Sequence, residues 1–186
     1  MIKAVIWDVG GVILYDINIT DFWKGLPESK KLRNDYGTNK IDFSEFASKG
    51  AKLLDLSEDE FIKKYKEIYS FVKPIKETYE VYLNMKTPKY ILSDTNQMHA
   101  DFVSRERPEI FKSAKKCYLS NEIGMRKDVI ETFNYVINDL KLFPNEVLFI
   151  DNREEATIIA KKVGIETIHY TSSEQLKEEL NKLNVK

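Results

Sequence analysis

Two short runs, AVIW (4–7) and VLFI (147–150), place apolar side chains on consecutive residues rather than on every second one. A strand that is hydrophobic on both faces must be covered on both faces, which is the situation of a parallel strand inside an α/β sheet. KYILS (89–93), KKCYLS (115–120) and IETIHY (165–170) follow the same pattern less strictly. From residue 89 onward, stretches with helical periodicity separate these runs. Asp128 stands where it could cap or open VIETFNYVINDL, and Pro144-Asn145 turns the chain into the next strand. Residues 154–163 read as a helix stopped by Gly164, and Ser172 or Ser173 can cap a last helix carrying Leu176, Leu180 and Leu183. The alternation predicts an α/β protein with a doubly wound, parallel, five-stranded Rossmann-like sheet.

The segment 15–85 breaks this rhythm, because no convincing strand occurs in it. Ser57 and Glu60 form a capping-box pattern ahead of FIKKYKEIYSF. Pro74 can occupy the first turn of IKETYEVYLNM, and shorter helices fit 28–36 and 42–49, with Gly37 and Gly50 as stops. The expected organisation is a core of residues 1–14 and 86–186 with a small helical cap, 15–85, inserted after the first strand. More than half of the aromatic residues fall in the cap. At helical spacing they read first as its core, and second as the roof of a substrate pocket.

Composition narrows the function. Of 186 residues, 42% are hydrophobic and 32% charged, as in an ordinary globular protein. A net charge of −1 offers no electrostatic basis for binding nucleic acid or a membrane surface. No apolar stretch approaches the roughly 20 residues that span a bilayer, and Asp8 interrupts the first run without a cleavage site after it. Cys117 is the only cysteine, so no internal disulfide is possible, and a reducing, cytoplasmic setting is expected. Its strand-like surroundings suggest a packed thiol rather than a reactive one. Oligomeric state is not legible.

Polar residues gather at the strand ends. AVIW runs into Asp8, KYIL into Ser93 and Asp94, and VLFI into Asp151 and Asn152, while Lys127 follows the third strand by a short loop. In an open α/β sheet these ends share one crevice. Singly, Ser93 and Asp94 could be helix caps and Lys127 a solvated charge. Together, two carboxylates, a hydroxyl and a cation could hold a divalent metal and a phosphoryl group.

VIWDVGGV, YILSDTN, GMRKD and VLFIDNREEA resemble, in order, the four motifs of the haloacid dehalogenase superfamily, most closely its sugar-phosphatase branch, similar to bacterial α-D-glucose-1-phosphate phosphatases. The resemblance implies a phosphatase for a small phosphorylated metabolite. Asp8 would be the nucleophile that becomes an aspartyl-phosphate. The metal set for Mg²⁺ would be Asp8, the Gly10 carbonyl, Asn152 and, directly or through water, Asp151. Ser93 and nearby groups of the Asp94 segment would hold the phosphoryl oxygens, and Lys127 would screen charge between nucleophile and phosphate.

Two departures from the family pattern shape the expectation. Gly10 stands where a second Asp usually serves as general acid and base, a role typically worth about 10²–10⁴-fold. Its loss favours substrates with good leaving groups, sugar 1-phosphates or acyl phosphates. Asn152 replaces the second acid of the fourth motif, which predicts a weakened Mg²⁺ site. The rival readings are a non-catalytic or weakly active binding protein and a metal-free 2-haloacid dehalogenase, for which Arg33 is the candidate carboxylate-binding cation.

Overall fold

The computed structural model describes residues 1–17, 19–69 and 72–186. Five strands form one parallel sheet: β1 (Ala4–Trp7), β2 (Lys89–Ser93), β3 (Cys117–Leu119), β4 (Val147–Asp151) and β5 (Glu166–His169). Their order in space is β3-β2-β1-β4-β5. The chain moves from β1 outward to β3, then returns to the other side of β1 for β4, so the strand order reverses at the centre. Trp7 pairs with Ile91 of β2 and with Ile150 of β4, which aligns the carboxyl ends of the three central strands.

The all-apolar strands are covered on both faces, as their sequence requires. Val5, Trp7, Leu148 and Ile150 point into one core with Tyr82, Leu176 and Leu180, whereas Ala4, Ile6, Val147 and Phe149 point into another with Phe133, Val136 and Ala160. On the second face lie α9 (Ile130–Leu140) and α10 (Glu154–Val163); on the first lie α5 (Lys76–Asn84) and α11 (Ser173–Lys182). Gly164 ends α10 in the left-handed conformation at φ 91°, and Ser172 caps α11 by accepting Gln175 N–H. Asp128 does not open α9: it is exposed, and the helix starts at Ile130 after Val129, two residues later than the sequence suggested. Pro74 likewise lies ahead of α5, bridging Leu14, while α5 packs with the sheet layer through Tyr82, whose ring meets Trp7 edge-on at 5.4 Å.

Between β1 and α5 lie α1 (Ile19–Phe22), α2 (Glu28–Gly37), α3 (Phe43–Leu54) and α4 (Glu58–Ile68). The Ser57–Glu60 capping box starts α4. Gly50, expected to stop a helix, sits inside α3 because a larger residue has no room: a Cβ there would come within 2.4 Å of the Phe61 ring. The four helices enclose a separate aromatic core of Trp23, Tyr36, Phe46, Phe61 and Tyr65. Phe46 stacks on Tyr36 at 4.4 Å, and Phe61 stacks on Tyr65 at 5.5 Å. The remaining helices, α6 (Gln97–Glu106), α7 (Pro108–Lys112) and α8 (Ser120–Ile123), link β2 to β3 and β3 onward. Among the described residues no helix is long and apolar enough to cross a membrane.

Candidate active site

Asp8 follows β1 directly, and its N–H donates to the Ile150 carbonyl of β4 at 2.9 Å, so the sheet's own hydrogen bonding fixes where the side chain starts. Its Oδ1 accepts the Val9 N–H at 2.7 Å and pairs with the Lys127 ammonium at 2.7 Å. Among the described residues this leaves Oδ2 uncommitted. Lys127 is 1% exposed and also pairs with Asp151 Oδ2 at 2.5 Å. Asp151 is completely buried at the end of β4, and its other oxygen accepts the Arg153 N–H at 2.7 Å. Expected at a metal, Asp151 instead has both oxygens engaged and lies off the cavity wall.

The electrostatics follow from this crowding. Burial acts against the charge on Lys127, but Asp151 and then Asp8 outweigh it and keep the ammonium protonated. Burial, reinforced by Asp151, pushes Asp8 up to about 7 against the pull of Lys127. Two buried carboxylates share one buried ammonium, and the Arg153 guanidinium, 3.8 Å from Asp151 Oδ1, adds a second cation.

Ser93, the last residue of β2, is buried and lines the same cavity as Asp8 and Lys127. Asp94 lines it too, but its carboxylate is taken: Oδ1 accepts the Lys127 N–H at 3.0 Å, and Oδ2 meets Arg153 at 2.8 Å and Arg126 at 3.2 Å. Burial works to raise Asp94, yet the charges of Lys127, Arg126 and Arg153 hold it below the ordinary carboxylate range. A carboxylate in that position gathers the Arg126 and Arg153 guanidiniums at the cavity.

Asn152 donates from Nδ2 to Asp16 Oδ2 at 3.1 Å. An ionised carboxylate only accepts, so the amide oxygen of Asn152 is the atom left for a cation. Gly11, at φ 74°, makes this approach possible, since a Cβ there would lie 2.1 Å from Asn152 Nδ2. A Cβ on Gly10 would stand 3.2 Å from Asp16 Oδ1, so a carboxylate from the following loop sits beside the position where the family pattern has an acid. Asp8, Gly10, Asp16 and Asn152 all line the cavity. The donors they offer are hard oxygens, which suit Mg²⁺ in kind. Among the described residues no group of three or more His, Cys, Asp or Glu side chains is arranged to hold a metal, so a bound ion would draw on amide, backbone and water oxygens as well.

The cavity, about 340 Å³, fits a small metabolite. Its cap wall includes Arg33 of α2, Tyr65 of α4 and Tyr69 just beyond it. Tyr69 donates to the Tyr65 hydroxyl at 2.7 Å, and Asn96 Nδ2, at the start of α6, reaches Tyr69 at 3.0 Å. His99 stacks on Tyr69 at 5.0 Å, bonds Thr95 through Nδ1 at 3.1 Å, and is lowered by burial to about 4, so it is neutral. Both readings of the cap aromatics therefore meet in Tyr65 and Tyr69, which belong to the cap core and face the pocket. Trp23 is buried in that core, whereas Tyr15, 61% exposed, stands on the cavity rim. Burial pushes the Cys117 thiol up to about 11, in keeping with a packed, unreactive cysteine. Asp16, Arg126 and Arg153 escaped the sequence reading; Arg126 could have been found inside GMRK, but nothing local marks Asp16, which reaches the site only because the loop folds back.

No family profile matches the chain. A D-ribitol-5-phosphate phosphatase of Bacteroides thetaiotaomicron is 27% identical over 206 residues, covering 97% of each chain. A HAD family enzyme from the same organism, crystallised with magnesium, superposes with a TM-score of 0.76 at 25% identity over 92% of this chain and 94% of that one. A variant of that enzyme has been crystallised with magnesium and inorganic phosphate. A predicted HAD-like family hydrolase from Porphyromonas gingivalis gives a TM-score of 0.75 at 22% identity, over 99% and 98% of the two chains.

Proposed function

We propose that this member of the haloacid dehalogenase superfamily is a phosphatase for small phosphorylated metabolites, working through an aspartyl-phosphate on Asp8. The observation that carries the reading is the Asp8–Lys127–Asp151 chain: a buried ammonium holds Oδ1 of the nucleophile and leaves Oδ2 to react. In the first step Asp8 Oδ2 forms a bond to phosphorus while the bond from phosphorus to the leaving oxygen breaks. The leaving group departs with the electron pair and takes a proton from water. In the second step water attacks phosphorus, the bond to Asp8 breaks, and phosphate and the free carboxylate are restored, with the surplus proton passing to solvent. Lys127 screens the charge between carboxylate and phosphoryl group throughout, and Ser93 donates to a phosphoryl oxygen. Positioning and charge neutralisation of this kind supply most of the catalysis in phosphoryl transfer.

Mg²⁺, held by Asp8, the Gly10 carbonyl and the Asn152 amide oxygen, would neutralise phosphoryl charge. Asp16 enters this set as a positioning residue, because it fixes which end of the Asn152 amide faces the ion and places a carboxylate near a site that has lost one. Asp151 acts through Lys127, and Asp94 through Arg126, Arg153 and the Lys127 backbone.

Without an acid at Gly10, substrates whose leaving oxygen already stabilises negative charge are favoured, which selects sugar 1-phosphates and acyl phosphates over alkyl esters. Ribitol 5-phosphate, named for the Bacteroides relative, is an alkyl ester and supplies the opposing comparison. The test is phosphate release from glucose 1-phosphate, acetyl phosphate, glucose 6-phosphate and ribitol 5-phosphate, with and without Mg²⁺. Activity that needs Mg²⁺ and is lost in Asp8→Asn supports the phosphatase; faster turnover of the two alkyl esters overturns the leaving-group preference. Release of chloride from 2-chloropropionate, with no phosphate released from any ester, would move the chain to the dehalogenase reading.

A further inference from the structure

The cap wall of the cavity holds a charge that phosphoryl transfer does not use. Arg33, on α2, is half-buried and lines the pocket. Its one hydrogen bond among the described residues is a long one, from Nε to the Ser29 carbonyl at 3.4 Å, and it makes no ion pair. Its aromatic neighbours, Tyr65 and Tyr69, bring no negative charge, since burial raises both phenols above their ordinary value. The nearby ionic group that acts on it is Arg126, a like charge. Burial, and then Arg126, work against the charge on Arg33, but a guanidinium does not give up its proton in a protein.

Arg126 is itself only partly satisfied. Its Nη2 shares Asp94 with Arg153, at 3.2 and 2.8 Å, while Nε is buried without a hydrogen-bond partner and stands 4.0 Å from the exposed Asp128. Holding two guanidiniums together out of water costs free energy unless an anion joins them. The phosphoryl group does not fill that need in the proposed pose, because it is held at the strand ends by Ser93 and Lys127. Arg33 and Arg126 both line the cavity, on the wall that would meet the rest of the substrate.

We infer that Arg33 and Arg126 form a second anion subsite, so that the preferred substrate is a phosphomonoester carrying another anionic group, a carboxylate or a second phosphate, on its leaving part. The subsite rests on the phosphatase reading only for the pose of the phosphoryl end. Arg33 supplies the planar fork that fits a carboxylate or phosphate in two places, and Arg126, which lines the same cavity, adds a second positive charge. Among sugar 1-phosphates and acyl phosphates, those without a second anionic group would enter the pocket but leave the two guanidiniums uncompensated.

Calorimetric binding of non-hydrolysable phosphonates with Mg²⁺ tests this independently of turnover. Phosphonoacetate, 3-phosphonopropionate and 4-phosphonobutyrate are compared with ethyl-, propyl- and butylphosphonate, and methylene- and propylene-bisphosphonates report on a second phosphate. At the best-fitting length the doubly anionic ligand is expected to bind about tenfold or more tighter than its alkyl counterpart. That ratio is expected to fall toward one in Arg33→Gln and to be partly restored in Arg33→Lys. Equal binding of charged and alkyl ligands at every length in the wild-type protein overturns the subsite, as does a ratio that Arg33→Gln leaves unchanged. If Arg33→Gln fails to fold, the wild-type comparison alone decides. A binding advantage without phosphate release from any ester would sink the phosphatase reading and leave the subsite standing; phosphate release without the advantage would do the reverse.

Discussion

Gly11 decides how closely Asn152 can approach the loop after β1. Its positive φ and the 2.1 Å that a Cβ would leave to Asn152 mean that alanine must both strain the loop and push Asn152 away. Gly11→Ala is expected to lower stability by about 1 kcal/mol or more. It should also raise the Mg²⁺ concentration needed for thermal stabilisation, a readout that a loop defect remote from the cation would not move. Buried His99 gives a pH prediction whose sign is fixed. The unfolded chain takes up a proton near pH 6.5, the folded chain only near pH 4, so stability is fully present above 6.5 and is lost as the pH falls through that window. Denaturant titrations between pH 7 and 4 should show a shallower decline in His99→Gln than in the wild type; an equal slope contradicts the assignment. The place of Asp8 at the carboxyl end of the sheet was legible because a strand that is apolar on every residue and then ends on Asp8 leaves few places for that carboxylate. Asp16 and Arg153 were not, since each matters through a partner far away in sequence, Asn152 for one and Asp94 for the other.

The helical elements were found more reliably than their ends. Ser57 and Glu60 announce α4 because both halves of the capping box are local and their hydrogen bonds span three residues. Gly50 misleads for the opposite reason. Glycine commonly ends a helix, but here it is demanded by a ring from another element, and no window of sequence around α3 contains Phe61. Gly50→Ala should therefore destabilise the protein although alanine is the better helix former by about 1 kcal/mol. Overpacking against Phe61 and Trp23 typically costs about 1–3 kcal/mol, so a lowered melting temperature is expected and a raised one would contradict the packing. Asp128 and Pro74 each suit a helix start by type, yet α9 and α5 begin beyond them, after Val129 and Ile75, and neither start has a side-chain cap.

The parallel sheet with its central reversal of strand order brings together residues separated by more than a hundred positions, and α2 and α4 contribute Arg33 and Tyr65 to the same cavity. Ser120 shows how the two parts meet. Its buried hydroxyl accepts the Thr95 N–H at 2.9 Å and donates to the Gly37 carbonyl at 2.7 Å at the end of α2, so the helix that carries Arg33 is anchored to the loop that follows β2. The parallel five-stranded sheet followed from the alternation of apolar runs with helical stretches, whereas its strand order and the helices' contribution to the pocket did not, because neither strand order nor helix packing angle has a signature in a single chain's periodicity. The proposed chemistry depends on Asp8 attacking phosphorus. Acid quenching of the protein during turnover of acetyl phosphate, followed by peptide mass analysis, measures that directly. One added phosphoryl group on the peptide containing Asp8, absent from Asp8→Asn, is the expected result; phosphate release by wild type and Asp8→Asn alike, with no modified peptide, would contradict it.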